Sequence, residues 1–150
     1  MPKISSPEEL ERLREEILSK RDPKKPVITV CAGTGCRSYG AVDVYNAIVE
    51  EVKKRGLEDK IEVKATGCHG FCERGAIVVV FPEEICYLRV KPEDAPEIVQ
   101  AVAEGKIIER LLYEDPATGK KIAKESEIPF YKNQMRIVFG NNRYIDPKNI

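Results

Sequence analysis

Four of the chain's five cysteines come in two couples. Cys31 and Cys36, in CAGTGCRSYGA, are spaced C-x4-C; Cys68 and Cys72, in ATGCHGFCERGA, are spaced C-x3-C. Thirty-one residues lie between the couples, and the only histidine, His69, sits inside the second. Thiols in such couples can form disulfides, exchange with them, or ligate a metal. A redox dithiol would need C-x-x-C, which is absent. Structural zinc favours tight C-x2-C pairs with sulfurs about 2.3 Å from one ion, and these couples are wider. A [2Fe–2S] core is larger and takes two cysteines on each iron, which matches two separate couples. A Rieske centre would need two histidines. Gly33, Gly35, Gly67, Gly70 and Gly75 surround the four thiols. Loops of this composition can turn backbone N–H groups inward into nests that bind anions and iron–sulfur groups.

Some element must bring these loops together. VITVC (27–31) reads as a buried strand, and IEVKAT (61–66) alternates as a half-buried strand does. Each couple therefore follows the C-terminal end of a strand, and if those strands lie on the same side of one sheet, both loops come together at one edge. Residues 41–55 carry Ala41, Val44, Tyr45, Ile48 and Val52 on one face and stop at Gly56, an amphipathic helix. Its positive end is expected to face Cys36. AIVVVF (76–81) has the unbroken apolarity of a central strand. CYLRV (86–90) follows after PEE as an antiparallel partner, and 92–105 closes as a helix before Gly105. At the N-terminus Ser6, Pro7 and Glu9 predict a capped helix whose Leu10, Leu13 and Ile17 need something to pack on. The sum is an α/β sandwich of four strands.

From residue 106 the periodicity fades. Asp115-Pro116 and Thr118-Gly119 mark a turn, MRIVF (135–139) reads as a strand, and Asp146-Pro147 as a helix start. The division expected is an N-terminal helix (1–24), the α/β unit (25–105) and an irregular linker (106–150). The linker is expected to lead toward a part of a longer protein.

Composition excludes several classes. The 25 basic and 25 acidic residues cancel, against the basic excess of a nucleic-acid or anionic-membrane binder. No apolar run is long enough to span a bilayer, and the polar N-terminus lacks a signal-peptide core. The expected compartment is the cytoplasm, where cysteines serve metals or redox chemistry more than disulfide frameworks. One histidine and scattered acids give no acid–base or nucleophilic set, so the chain alone has no catalytic site. The glycines at 33, 35 and 40 miss the G-x-G-x-x-G spacing of a nucleotide loop. Cys86 reads as a small buried hydrophobe. His69 reads as a residue near the thiols that could bond a sulfur, and Phe71 as either a shield or ordinary packing. Arg37, Lys64 and Arg74 read as either positive potential or solvated charge.

The C-x4-C couple followed by TGCHGFC resembles the thioredoxin-like [2Fe–2S] ferredoxin family over residues 25–105. That resemblance implies a thioredoxin-like, about four-stranded mixed sheet flanked by helices. It also implies a [2Fe–2S] cluster with Cys31 and Cys36 on one iron and Cys68 and Cys72 on the other. The segment ERLLYEDPATGKKI … IPFYKNQMRIV … IDP is similar to the connector in NADH-binding flavoprotein subunits of NADH-dependent and electron-bifurcating hydrogenases, relatives of the complex I flavoprotein. By that resemblance FMN and NAD(P)H would bind in a further domain, and the partners would be other subunits of a hydrogenase or formate dehydrogenase complex. Two alternatives stay open: a stand-alone ferredoxin and a zinc-stabilised interaction module.

Overall fold

The structure is a computed structural model that describes residues 3–20 and 22–147. Helix α1 (Pro7–Ser19) starts as expected: Ser6 Oγ accepts from the Glu9 N–H at 3.3 Å, and Glu9 reaches back to the Ser5 N–H at 2.7 Å. It buries no residue, however, and Leu10 and Leu13 face outward among the described residues. The expectation that this helix packs is thus corrected; its caps and its salt bridges (Glu16 with Lys20, Glu11 with Arg14) account for its helicity.

Strand β1 (Val27–Cys31) is followed by a single-turn helix α2 (Thr34–Ser38), then α3 (Ala41–Lys54) and strand β2 (Glu62–Thr66). The loop expected over 32–40 therefore contains a helical turn, and Cys36 lies inside it, just ahead of α3. Strands β3 (Val78–Phe81) and β4 (Ile85–Tyr87) form the antiparallel hairpin, and α4 (Ala95–Glu104) ends at Gly105, whose φ of 66° suits glycine. The second half of CYLRV leaves the ladder, with Arg89 at φ 54°. The sheet order is β2-β1-β3-β4, β1 running parallel to β2 and antiparallel to β3. Helix α3 packs on β1, β2 and α4, and the core gathers around Ile28, Val30, Val44, Ile48, Val78, Val79 and Ile98. Burying each such side chain contributes roughly 1.5–3 kcal/mol.

Residues 106–147 dock onto the α/β unit. Leu111 and Ala123–Glu125 lie along the free edge of β4, while Asn142 and Ile145 reach Gly67. The Leu88 N–H donates to Leu111 O at 2.9 Å, Cys86 N–H to Ala123 O at 2.8 Å and Glu125 N–H to Glu84 O at 2.9 Å. An open edge strand is thereby covered. The segment includes a short hairpin, β5 (Tyr113–Glu114) with β6 (Lys121–Ile122), and a turn of helix, α5 (Pro129–Lys132). Ile108, Leu111, Ile128 and Tyr131 join the core. The strand expected at 135–139 does not form; these residues make turns, with Met135, Ile137 and Val138 largely exposed. Without a neighbouring strand, an apolar run of this length has no ladder to complete. The helix expected after Asp146 falls mainly on residues 148–150, outside the described residues.

Candidate metal centre

Parallel pairing puts Cys31 opposite Thr66, so β1 and β2 end level and release their loops on the same edge. The loops then meet closely. A Cβ on Gly33 would lie 2.9 Å from Cys68 Cβ and 3.2 Å from its Sγ; one on Gly35 would lie 2.8 Å from both Cβ and Sγ of Cys72. A side chain at either position would occupy the space of a cysteine. A Cβ on Gly75 would lie 3.0 Å from Tyr39 Cδ2 and 3.2 Å from Cys36 Sγ. The glycines that bracket the thiols in sequence are what allow the first loop to lie against the second, and all four expected residues come together.

The sulfurs keep their grouping by couple. The Cys68 and Cys72 sulfurs are 4.0 Å apart. The neighbouring Cys36 thiol, working against burial, holds the Cys31 thiol down, while Cys31 and burial push Cys36 well up. Burial also raises Cys68. Among the described residues no three His, Cys, Asp or Glu side chains gather around one point as a single ion needs. Two neighbouring couples of thiols are what the cradle offers. Its donors point the same way. Gly70 N–H donates to Cys68 Sγ at 3.3 Å, with Gly70 at φ 88° where a side chain would be strained. Backbone N–H groups of Gly33 and His69 act on the Cys31 sulfur, and that of Ile77 on Cys36. Cys31 and Cys36 are fully buried, whereas Cys68 and Cys72 are half-buried. The chemistry and spacing of these donors fit a [2Fe–2S] cluster.

The residues around the thiols sort themselves differently from the expectation. His69 does not bond sulfur through its ring. It is buried, with Nε2 3.1 Å from Thr66 Oγ1 and Nδ1 3.1 Å from Glu125 Oε1. Phe71 stacks on Phe130 with ring centroids 4.1 Å apart and meets Tyr131 edge-on, packed in an aromatic cluster. Arg37 is exposed and donates to Ala32 O, Lys64 pairs with Glu62, and Arg74 lies over the rings of Phe71 and Tyr113. Cys86 is fully buried, its thiol pushed well up by burial, and it joins neither couple.

Sequence reasoning missed Glu125 and Phe130, which meet the thiol-bearing loop at His69 and Phe71, and Arg143, which pairs with Glu125. Glu125 is wholly buried; burial favours its neutral form, but bonds from His69 and Arg143 outweigh this and lower its pKa. KESE reads as solvated charge, and no local signal separates this glutamate from its neighbours.

A four-stranded mixed sheet with helices packed on it, carrying two glycine-bracketed thiol couples at one edge, defines a class of small α/β iron–sulfur carriers. Residues 16–103 match the family profile described as thioredoxin-like [2Fe-2S] ferredoxin, and the chain belongs to that family. A 2Fe-2S ferredoxin of Clostridium pasteurianum is 38% identical over 77 residues, 51% of this chain and 76% of the relative. A 2Fe-2S ferredoxin of Aquifex aeolicus (strain VF5) is 35% identical over 79 residues, 51% of this chain and 71% of its own length. The crystal structure of the wild-type thioredoxin-like [2Fe-2S] ferredoxin from Aquifex aeolicus superposes with a TM-score of 0.56 at 30% identity, covering 60% of this chain and 97% of the other. The fold is thioredoxin-like, and the chain is an electron carrier of the [2Fe–2S] ferredoxin kind. The docked segment from residue 106 onward lies beyond the matched residues.

Proposed function

We propose that Cys31, Cys36, Cys68 and Cys72 are the four cluster ligands, the first couple on one iron and the second on the other. The observation that supports this most is the interlock of Gly33 and Gly35 with Cys68 and Cys72, which brings two distant couples to one point without merging them. The cluster supplies one-electron chemistry: it accepts an electron and returns it. The chain's own residues do the rest. Four thiolates concentrate negative charge, and the inward N–H groups offset it, most where an added electron increases it. Phe71 and Phe130 keep water from one flank. The half-buried Cys68 and Cys72 leave that side nearest the surface, so electrons exchange there with a partner.

In the larger setting, we read the chain as the electron-transfer part of an NAD(P)H-linked flavoprotein subunit of hydrogenase or complex I type, with FMN and NAD(P)H bound outside these residues. The similarity of the segment after residue 106 to the connector of such subunits supports this. The alternative, a stand-alone ferredoxin, is favoured by the relatives from Clostridium and Aquifex, which are named simply as ferredoxins. A zinc module is disfavoured by the division into couples.

Anaerobic purification followed by metal and sulfide analysis tests the ligand set. Two irons and two acid-labile sulfides per chain, with a visible band that bleaches on reduction, are expected; Cys68→Ser should lose most of the band. One zinc without sulfide, or undiminished cluster content in Cys68→Ser, sinks the reading. The flavoprotein setting is tested in the reading frame: a glycine-rich flavin loop encoded beyond codon 150 supports it, and a stop codon there overturns it.

A further inference from the structure

We propose that Glu125, acting through His69, is a positioning residue for the redox centre. It clamps the Cys68–Cys72 loop so that the loop's backbone N–H groups stay aimed at the cysteine sulfurs. The inference rests on the cluster reading above.

Both side chains are fully buried, and Glu125 Oε1 lies 3.1 Å from His69 Nδ1. Paired on its other side with an arginine, this carboxylate is ionised and can only accept, so Nδ1 carries the proton and donates. The opposite ring nitrogen, Nε2, meets Thr66 Oγ1 at 3.1 Å. Thr66 ends β2 beside Cys31. The imidazole is therefore bolted at one end to the sheet and at the other to a residue 56 positions away.

Glu125 itself cannot swing. Its N–H donates to Glu84 O at 2.9 Å, and its second carboxylate oxygen accepts from Arg143 Nη1. Arg143 Nη2 in turn donates to Glu84 Oε1 at 3.0 Å, and Arg136 Nη1 stands 3.8 Å from Glu125 Oε1. A buried carboxylate is tolerated only when matched in this way, and a matched network holds one geometry.

The held residue is the one between Cys68 and Gly70. With the ring fixed, the peptide unit that follows it is fixed, and its Gly70 N–H donates to Cys68 Sγ at 3.3 Å. Donors to cluster sulfurs set the potential and stability of such a centre. Residues beyond the family's matched portion thus act on the centre itself.

The test uses the full-length holoprotein with Glu125→Gln, Glu125→Ala, His69→Ala and the double alanine variant. Amide hydrogen exchange in the peptide spanning 67–73 is read by mass spectrometry, together with the deuterium sensitivity of the Fe–S stretching bands. Glutamine keeps an acceptor for Nδ1 and should preserve both signatures. Each alanine variant should speed exchange at residues 69 and 70 about tenfold, the worth of one hydrogen bond. The double variant should add nothing, because the two residues act as one unit. His69→Ala should also shift the potential negative. Additive effects, or wild-type exchange and bands in His69→Ala, overturn the proposal. Should Glu125→Ala not fold, His69→Ala and Glu125→Gln decide by the same readouts. A wild-type protein without iron and sulfide would instead overturn the cluster reading.

Discussion

At the scale of the residue, the centre depends as much on missing side chains as on thiols. A methyl group on residue 35 would meet both Cβ and Sγ of Cys72 at 2.8 Å, and neither neighbour is a flexible tip. Gly35→Ala should therefore cut iron and sulfide content severalfold, while Thr34→Ala, at an exposed position one residue away, should not; colorimetric iron and sulfide assays check both. Cys86 makes the contrasting case. It is fully buried, and its thiol is held well above the ordinary range by desolvation. The thiolate is the reactive form, so raising the pH from 7 to 9 should bring no alkylation of Cys86 by iodoacetamide in the folded holoprotein, as peptide mass mapping would show. Labelling that rises through pH 8.5 would mean an ordinary, accessible thiol. Cys86→Ala should keep full cluster content, because its sulfur belongs to neither couple.

At the scale of the element, the segment after α4 does what a helix or fifth strand does elsewhere. It covers the β4 edge with backbone bonds and lays Ile128 and Tyr131 into the core beside Phe71. Ile128 is fully buried although it lies outside the residues matched by the family. Ile128→Ala should cost about 2–5 kcal/mol, the range for a large aliphatic core residue, in chemical denaturation of the holoprotein. A loss below about 0.5 kcal/mol would mean that this segment is not part of the cooperative unit.

At the scale of the whole molecule, α1 and the thiol-bearing unit stand in different relations to stability. Helix α1 buries nothing among the described residues and is held by its caps and surface ion pairs, which are worth little. Deleting residues 1–20 should change the unfolding free energy by no more than about 0.5 kcal/mol and leave the visible spectrum unaltered, measured by denaturation and absorbance on the same sample. No helix among the described residues is long and apolar enough to cross a membrane.

The sequence by itself determined the four strands of the main sheet, helices α3 and α4, and the spacing of the thiols. Apolar periodicity and the spacing of cysteines and glycines are local records of burial and of close approach. The parallel pairing of β1 with β2 was implied once both couples had to meet. What only the tertiary structure decided was the fate of residues 106–147, the burial of His69 and the partners of Glu125. These depend on contacts between residues far apart in the chain, such as Leu88 with Leu111, Cys86 with Ala123 and His69 with Glu125. A buried glutamate, matched to a histidine and an arginine, has the same local sequence as a solvated one, because its partners come from the fold rather than from its neighbours in the chain.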